Sequence, residues 1–239
     1  MVEYSIVVPV KDEVDNIVPL VTEIEKAMAP YANNWELIYV DDGSSDGSLG
    51  LLQSLAGTHP FLRVLAFDRN YGQSSAFDAG FRHARGRFVI SLDGDGQNDP
   101  SDIPLLISAA DKADLVCGQR VQRKDSFSKR WVSKLSNIVR SRLCQDGVKD
   151  TGCSLKLYRK EALDRIKLFD GMHRFLPALF LNEGLRILTV PVKHRPRERG
   201  KTKYGFFNRN INAVMDMFAV MWMRRRSLHY RFRGPELGS

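Results

Sequence analysis

Apolar residues come in short, dense runs through the first half of the chain. "YSIVVPV" (4–10), "WELIYV" (35–40), "LRVLAF" (62–67), "RFVISL" (87–92) and "ADLVCG" (113–118) are each six or seven residues long. They are nearly continuous instead of alternating, the pattern of strands covered on both faces. Between them the period changes. Ile17, Leu20, Val21, Ile24 and Met28 predict a helix over 13–29. A second helix follows "DDGSSDGS", with Ser45 or Asp46 as N-cap, and others fall near 73–85 and 101–111. Short strands separated by helices of roughly 10–15 residues predict βαβ units and an α/β fold with a mostly parallel sheet.

The second half is less regular. A basic amphipathic helix is expected near 126–143 (Phe127, Trp131, Leu135, Ile138), then "DTGCSLKLYRK", a helix around "HRFLPALFL" and a strand over 186–192. The basic segment "KHRPRERGKTKYG" leads into "FFNRNINAVMDMFAVMWMRRR" (206–226), where Phe207, Ile211, Val214, Met215, Phe218, Met221 and Trp222 recur at helical spacing. We divide the chain into a catalytic domain over 1–205 and a basic amphipathic segment over 206–239.

Charge sharpens this division. The net charge is +8, yet residues 1–192 carry 24 Lys/Arg against 25 Asp/Glu, and residues from Lys193 onward carry 12 against 3. A basic excess confined to the end suits an anionic membrane surface better than a nucleic-acid groove, so no nucleic-acid partner is expected. Cys117, Cys144 and Cys153 form no CxxC pair, which argues against a zinc site or a disulfide framework. "MVEYSIVVPV" enters a strand directly, and no apolar run nears the ~20 residues of a membrane span. The expected location is the cytoplasmic face of a membrane, held peripherally without a transmembrane helix. Self-association is left open.

In parallel sheets ligands bind beyond the carboxyl ends of the strands, where the acidic turns 41–46 and 93–99 both fall. "PVKDE" after the first strand lacks both GxGxxG and GxxxxGK[ST], so no glycine cradle holds phosphates there. "LDGDGQNDP" (92–100) offers another means. Asp93 and Asp95, two apart at a strand end, can present oxygens to one hard cation, Mg2+ or Mn2+, with Gln97 adding a neutral oxygen. Such a cation keeps positions open for a diphosphate. In "NYGQSSAFDAGF" the small residues Ser75, Ala76, Ala79 and Gly80 read as close helix–sheet packing, whereas Asn70 and Gln73 at its start are site candidates. His173 reads as structural.

Taken together, "VPVKDE", "DDGSSDGS", "NYGQSSAFDAGF" and "LDGDGQNDP" resemble the GT-A glycosyltransferases of family 2. "DTGCSLKLYR", "HRFLP" and "RGKTKYG" are similar to its polyprenyl-phosphate branch, the dolichol-phosphate-mannose-synthase-like enzymes. The resemblance spans about residues 4–205. It implies a Rossmann-like GT-A domain and inverting transfer of a sugar from a nucleoside diphosphate donor to a polyprenyl phosphate. By position it implies Pro9, Glu13 and Asp42 as nucleoside contacts, and Asp93, Asp95 and Gln97 at the metal and diphosphate. The chain departs from the family at Lys11 and Asp12, where an aromatic and an asparagine are common, and at Gly94 and Gly96, where larger residues often stand.

The resemblance also bears on the basic groups. Arg199 and Lys203 match its R-G-x-[ST]-K stretch and are expected, with Arg197 and Lys201, to neutralise the leaving diphosphate. Arg120, Arg130, Lys134 and Arg174 are further phosphate candidates. Asp150 would serve as general base toward a hydroxyl. A phosphate acceptor, with a second pKa near ~6, is already anionic at neutral pH; Asp150 is then expected to orient the acceptor or a basic neighbour. The rival readings are a family-2 transferase acting on a glycan hydroxyl and a sugar-1-phosphate nucleotidyltransferase, the latter disfavoured because no Gly-rich, Arg-containing loop follows the first strand.

Overall fold

The computed structural model describes residues 2–31, 34–121, 147–148, 150–196 and 208–226. Within them, β1 (Tyr4–Val10), α1 (Val14–Met28), β2 (Trp35–Asp41), α2 (Ser48–Thr58), β3 (Leu62–Ala66), α3 (Gln73–His83), β4 (Phe88–Ser91), α4 (Ile103–Ile107) and β5 (Leu115–Arg120) alternate as the pattern predicts. β6 (Lys156–Arg159), α5 (Lys160–Arg165), α6 (Leu176–Asn182), β7 (Ile187–Val192) and α7 (Asn208–Arg226) follow. The helix expected near 126–143 lies outside the described residues.

The strands form one sheet in the order β3-β2-β1-β4-β6-β5-β7. All neighbouring pairs are parallel except those of β6, which runs antiparallel to both β4 and β5. Both faces are covered, and residue parity divides the core. Ile6, Val8, Leu37, Tyr39, Phe88 and Ile90 pack against α1, α2 and α4. Val7, Ile38, Val40, Val89, Leu115 and Tyr158 pack against α3, α6 and α7. Each such aliphatic side chain removed from water contributes about 1.5–3 kcal/mol, so a one-residue slip in any central strand would be costly.

α3 approaches the sheet closely, as its small residues predict: a Cβ on Gly80 would stand 2.2 Å from Val7 Cγ1. The expected cap of α2 is not what forms. Gly47, at φ +92°, precedes the helix. The Asp46 carboxylate accepts from the Ser48 N–H at 3.0 Å and also from the Val14 N–H at 3.0 Å, so it satisfies the start of α1 from another loop.

The order reverses between β1 and β4: β2 and β3 lie to one side of β1, and β4 lies on the other. Such a switch point opens a crevice at the carboxyl ends of the strands. Here it gathers Lys11–Glu13, Asp41–Ser48 and Asp93–Gln97.

Candidate active site

The first two turns are sewn together. Asp12, at φ +46°, donates its N–H to Ser44 Oγ at 2.8 Å, and its carboxylate accepts from the Ser45 N–H at 2.6 Å. The Glu13 N–H reaches Ser48 Oγ at 3.1 Å, and Lys11 Nζ donates to the Gly43 carbonyl. Pro9 continues β1 opposite Val40. Glu13 keeps its carboxylate near the start of α1, where Asn16 donates to it at 2.6 Å.

Asp42 is almost fully buried and faces the loop before α3. Its carboxylate accepts from Asn70 Nδ2 (3.0 Å), the Tyr71 N–H (2.6 Å) and the Gly72 N–H (2.9 Å). Three donors converging on one buried carboxylate fix that loop. One residue further, Gln73 Nε2 donates to Asp93 Oδ1 at 2.8 Å. Asn70 and Gln73 are thus both tied to the acidic turns.

Asp93 and Asp95 leave the end of β4 half-buried, and Asp95 Oδ1 accepts from the Gln97 N–H at 3.1 Å. Burial, reinforced by the charge of Asp95, raises the Asp93 carboxyl to about 6; the Ser154 hydroxyl and the charges of Lys156 and Arg120 oppose this. The glycine between the two aspartates is a packing requirement. A Cβ on Gly94 would lie 2.5 Å from Val10 Cγ1 and 2.9 Å from the Pro9 carbonyl oxygen. Gly94→Ala is therefore expected to push the turn off β1, at about 1–3 kcal/mol of stability and more than tenfold in turnover, checked by thermal melts and initial rates.

No group of three or more His, Cys, Asp and Glu side chains is assembled for a metal among the described residues. Two carboxylates at an open turn, strained by mutual repulsion, nonetheless suit a cation that takes its other ligands from water and phosphate.

Asp150 is 6% exposed and gripped from two directions by one residue. Arg120, at the end of β5, donates from Nε at 2.6 Å and Nη2 at 2.7 Å, and its backbone N–H adds a third bond at 3.2 Å. The bidentate guanidinium occupies both carboxylate oxygens with N–H donors in a buried setting. The pair lies close enough to Asp93 for Arg120 to lower its proton affinity.

Asn98 and Asp99 tie the acidic turn to its neighbours. Asp99 caps the turn Pro100–Asp102 through the Ser101 N–H. Asn98 forms a bridge with His194, and the Arg195 N–H donates to the Gln97 carbonyl at 2.9 Å. The Arg195 side chain reaches Glu23 at 2.8 Å and Asp99 at 2.8 Å. The stem of the basic segment is thereby fastened to the acidic turn; spacing in sequence gives no sign of this pairing.

With this geometry in view, comparison decides the family. A family model described as Glycosyl transferase family 2 matches residues 5–167. The chain belongs to that family. Curated relatives of this family-2 glycosyltransferase include a dodecaprenyl-phosphate galacturonate synthase from Rhizobium johnstonii, 39% identical over 93% of this chain and 68% of its own length. An undecaprenyl-phosphate 4-deoxy-4-formamido-L-arabinose transferase from Edwardsiella ictaluri is 38% identical over 91% of this chain and 67% of its own. Among solved structures, a mannosyltransferase from Pyrobaculum calidifontis in complex with GDP-Man and Mn2+ superposes with a TM-score of 0.67 at 21% identity, covering 91% of this chain and 63% of that one. Glucosyl-3-phosphoglycerate synthase from Mycobacterium tuberculosis, with Mn2+ and UDP, gives 0.66 at 18% identity, covering 93% and 79%. These two share the fold.

Of the candidate residues in this family-2 enzyme, Pro9, Glu13, Asp42, Asp93, Asp95, Gln97, Arg120 and Asp150 line the carboxyl-end edge of the sheet. Arg174 lies on the α7 side near Asp216, whose carboxyl is raised by burial, an effect the Arg174 charge partly opposes. His173 joins Ser74 at 2.9 Å and so ties the turn Met172–Arg174 to α3. Arg197, Arg199, Lys201, Lys203, Arg130 and Lys134 lie outside the described residues. Sequence reasoning passed over Arg195 and Lys156, and gave Asp46 only as a cap of the helix that follows it, not as a partner of Val14.

Proposed function

We propose that this enzyme moves a sugar from a nucleoside diphosphate sugar to a polyprenyl phosphate, with inversion, at the cytoplasmic face of a membrane. The observation that carries the reading is the state of Asp150. A glycan hydroxyl needs a base to take its proton. The carboxylate in the position for that task is buried and chelated by Arg120. A phosphate oxygen needs no such base, and the relatives named above act on polyprenyl phosphates.

In this mechanism Asp93 and Asp95 would hold Mg2+ or Mn2+, which would supply charge neutralisation to the diphosphate. Gln73 fixes the Asp93 rotamer, and the Asp42-braced loop shapes the donor side of the crevice. Arg120, aligned by Asp150, orients the incoming phosphate toward the anomeric carbon. Arg199, Lys203, Lys201 and Arg197 are assigned to the departing diphosphate. That segment springs from the 193–195 stem bound to Gln97 and Asp99, which supports the assignment.

α7 supports a peripheral membrane contact. Met217 and Val220 are buried on the α6 side, whereas Met215, Phe218 and Trp222, three and four residues apart, are 66%, 58% and 63% exposed. Arg224, Arg225 and Arg226 follow directly. No described helix is long and apolar enough to cross a membrane. An exposed apolar stripe ending in three arginines fits an anionic lipid interface. Replacing Met215, Phe218 and Trp222 together by serine is expected to weaken co-sedimentation with phosphatidylglycerol vesicles about 100-fold while leaving the melting temperature unchanged. Unchanged vesicle binding would remove α7 as the contact.

The transfer itself is tested with radiolabelled UDP- and GDP-sugars and undecaprenyl phosphate. Label is expected in the organic phase for one donor and not in EDTA. Label that stays aqueous for every donor refutes the lipid acceptor.

A further inference from the structure

Among the described residues Lys156 is the only buried lysine or arginine, at 2% exposure. It opens β6 in the interior of the sheet, with its Cα opposite Ser91 of β4 and Cys117 of β5. By strand parity its side chain shares the α3 face with Ser91 and Tyr158, whose hydroxyls are 3.2 Å apart. Two residues beyond Ser91 on the same face comes Asp93. Lys156 Nζ donates to the Cys153 carbonyl and, at 3.4 Å, to the Thr151 carbonyl. No carboxylate lies within ion-pairing distance of it among the described residues.

An ammonium taken this far from water without a carboxylate at contact is costly to bury. Carbonyl dipoles offset part of that cost. Asp93, at the end of β4, is the carboxylate at which the charge of Lys156 is felt. Counting charges shows what this achieves. Arg120 and Asp150 neutralise each other as a contact pair. Asp93 and Asp95 with a divalent cation sum to zero. Lys156 adds to these a fixed positive charge on the sheet face that leads to Asp93.

We propose that Lys156 is a positioning residue whose fixed charge offsets one of the two DGD carboxylates, making the metal-loaded site less negative toward the donor diphosphate. The inference rests on the metal reading given under Proposed function. It makes the effects on the two ligands opposite in sign. A buried cation repels the divalent metal and attracts the diphosphate, whereas a purely architectural lysine would support both.

Lys156→Gln keeps amide hydrogens for the two carbonyls and removes the charge; Lys156→Arg keeps the charge. The full chain is titrated calorimetrically with MnCl2 alone, then with UDP, and in parallel GDP, at saturating Mn2+. Lys156→Gln is expected to bind Mn2+ about three- to tenfold more tightly and the nucleotide at least about tenfold more weakly, on the scale of one charge a few ångströms away in a partly screened interior. Lys156→Arg is expected within about twofold of wild type for both. Weakening of both ligands, no change in either, or failure of Lys156→Gln to fold would overturn the proposal and leave Lys156 a core residue. Wild-type protein that binds no Mn2+ would overturn the metal reading and this inference with it, a failure visible before any variant is made.

Discussion

Asp93→Asn is expected to abolish sugar transfer and at the same time raise the melting temperature of the metal-free protein. Losing one of two carboxylate ligands removes the charge stabilisation of the leaving diphosphate, a term worth at least about 10³ in kcat/KM. Stability moves the other way. The Asp93 carboxyl, ordinarily near 3.8, sits at about 6 in the folded protein because burial and Asp95 disfavour its charged form. At pH 7.5 it is ionised in both the folded and unfolded states, and the folded state carries the penalty. Below about pH 3, well under the ordinary 3.8, it is protonated in both, and the penalty is gone. Discounted for partial exposure, the neutral amide gains about 1 kcal/mol at pH 7.5, or ~2–4 °C. Melts of both proteins in EDTA at pH 7.5 and 3 check this: the difference should vanish at the lower pH. By the same linkage, Mn2+ affinity should fall about tenfold per pH unit below ~6, as protons compete for the ligand.

Arg120→Ala is expected to cost at least about 100-fold in kcat/KM for lipid phosphate and about 3 kcal/mol in stability. The stability loss comes from stripping a buried carboxylate of its bidentate partner. Asp150→Asn is the informative companion. It retains one acceptor for the guanidinium, so about a tenfold loss, expressed in KM for the acceptor, is expected with no change in the acid limb of the pH–rate profile. Loss of that limb, with kcat falling by several orders, would instead make Asp150 a base and favour a hydroxyl acceptor.

Much of this fold was legible before any coordinates. β1, β2, β4 and β5 are apolar on both faces, and a strand with two buried faces cannot hide in a sequence. β6 could. "KLYR" is four residues long, begins and ends with a cation, and follows a turn-like "DTGC"; the carbonyls of Thr151 and Cys153 that receive its lysine cannot be read from that spacing. The capping of α1 was hidden for a related reason, since Asp46 acts across 32 positions and cap signals are read locally. In the site, the DGD spacing pointed correctly to a paired-carboxylate turn. The partners of Asp42 and Asp150 were invisible, because contacts such as Asp42–Asn70 and Arg120–Asp150 depend on which strand ends become neighbours.

The antiparallel placement of β6 has a consequence for how this protein can vary. β5 ends and β6 begins at the same edge of the sheet, and Cys117 and Lys156 are paired across it. Whatever chain connects them leaves and returns at a single rung. Lengthening such an excursion leaves the register of every strand intact, and each doubling costs only about 0.6 kcal/mol in closure entropy. This position is thus a natural port for insertions. Because Arg120 stands at its exit and Asp150 near its return, sequence added or exchanged there could retune acceptor choice without redesign of the donor half.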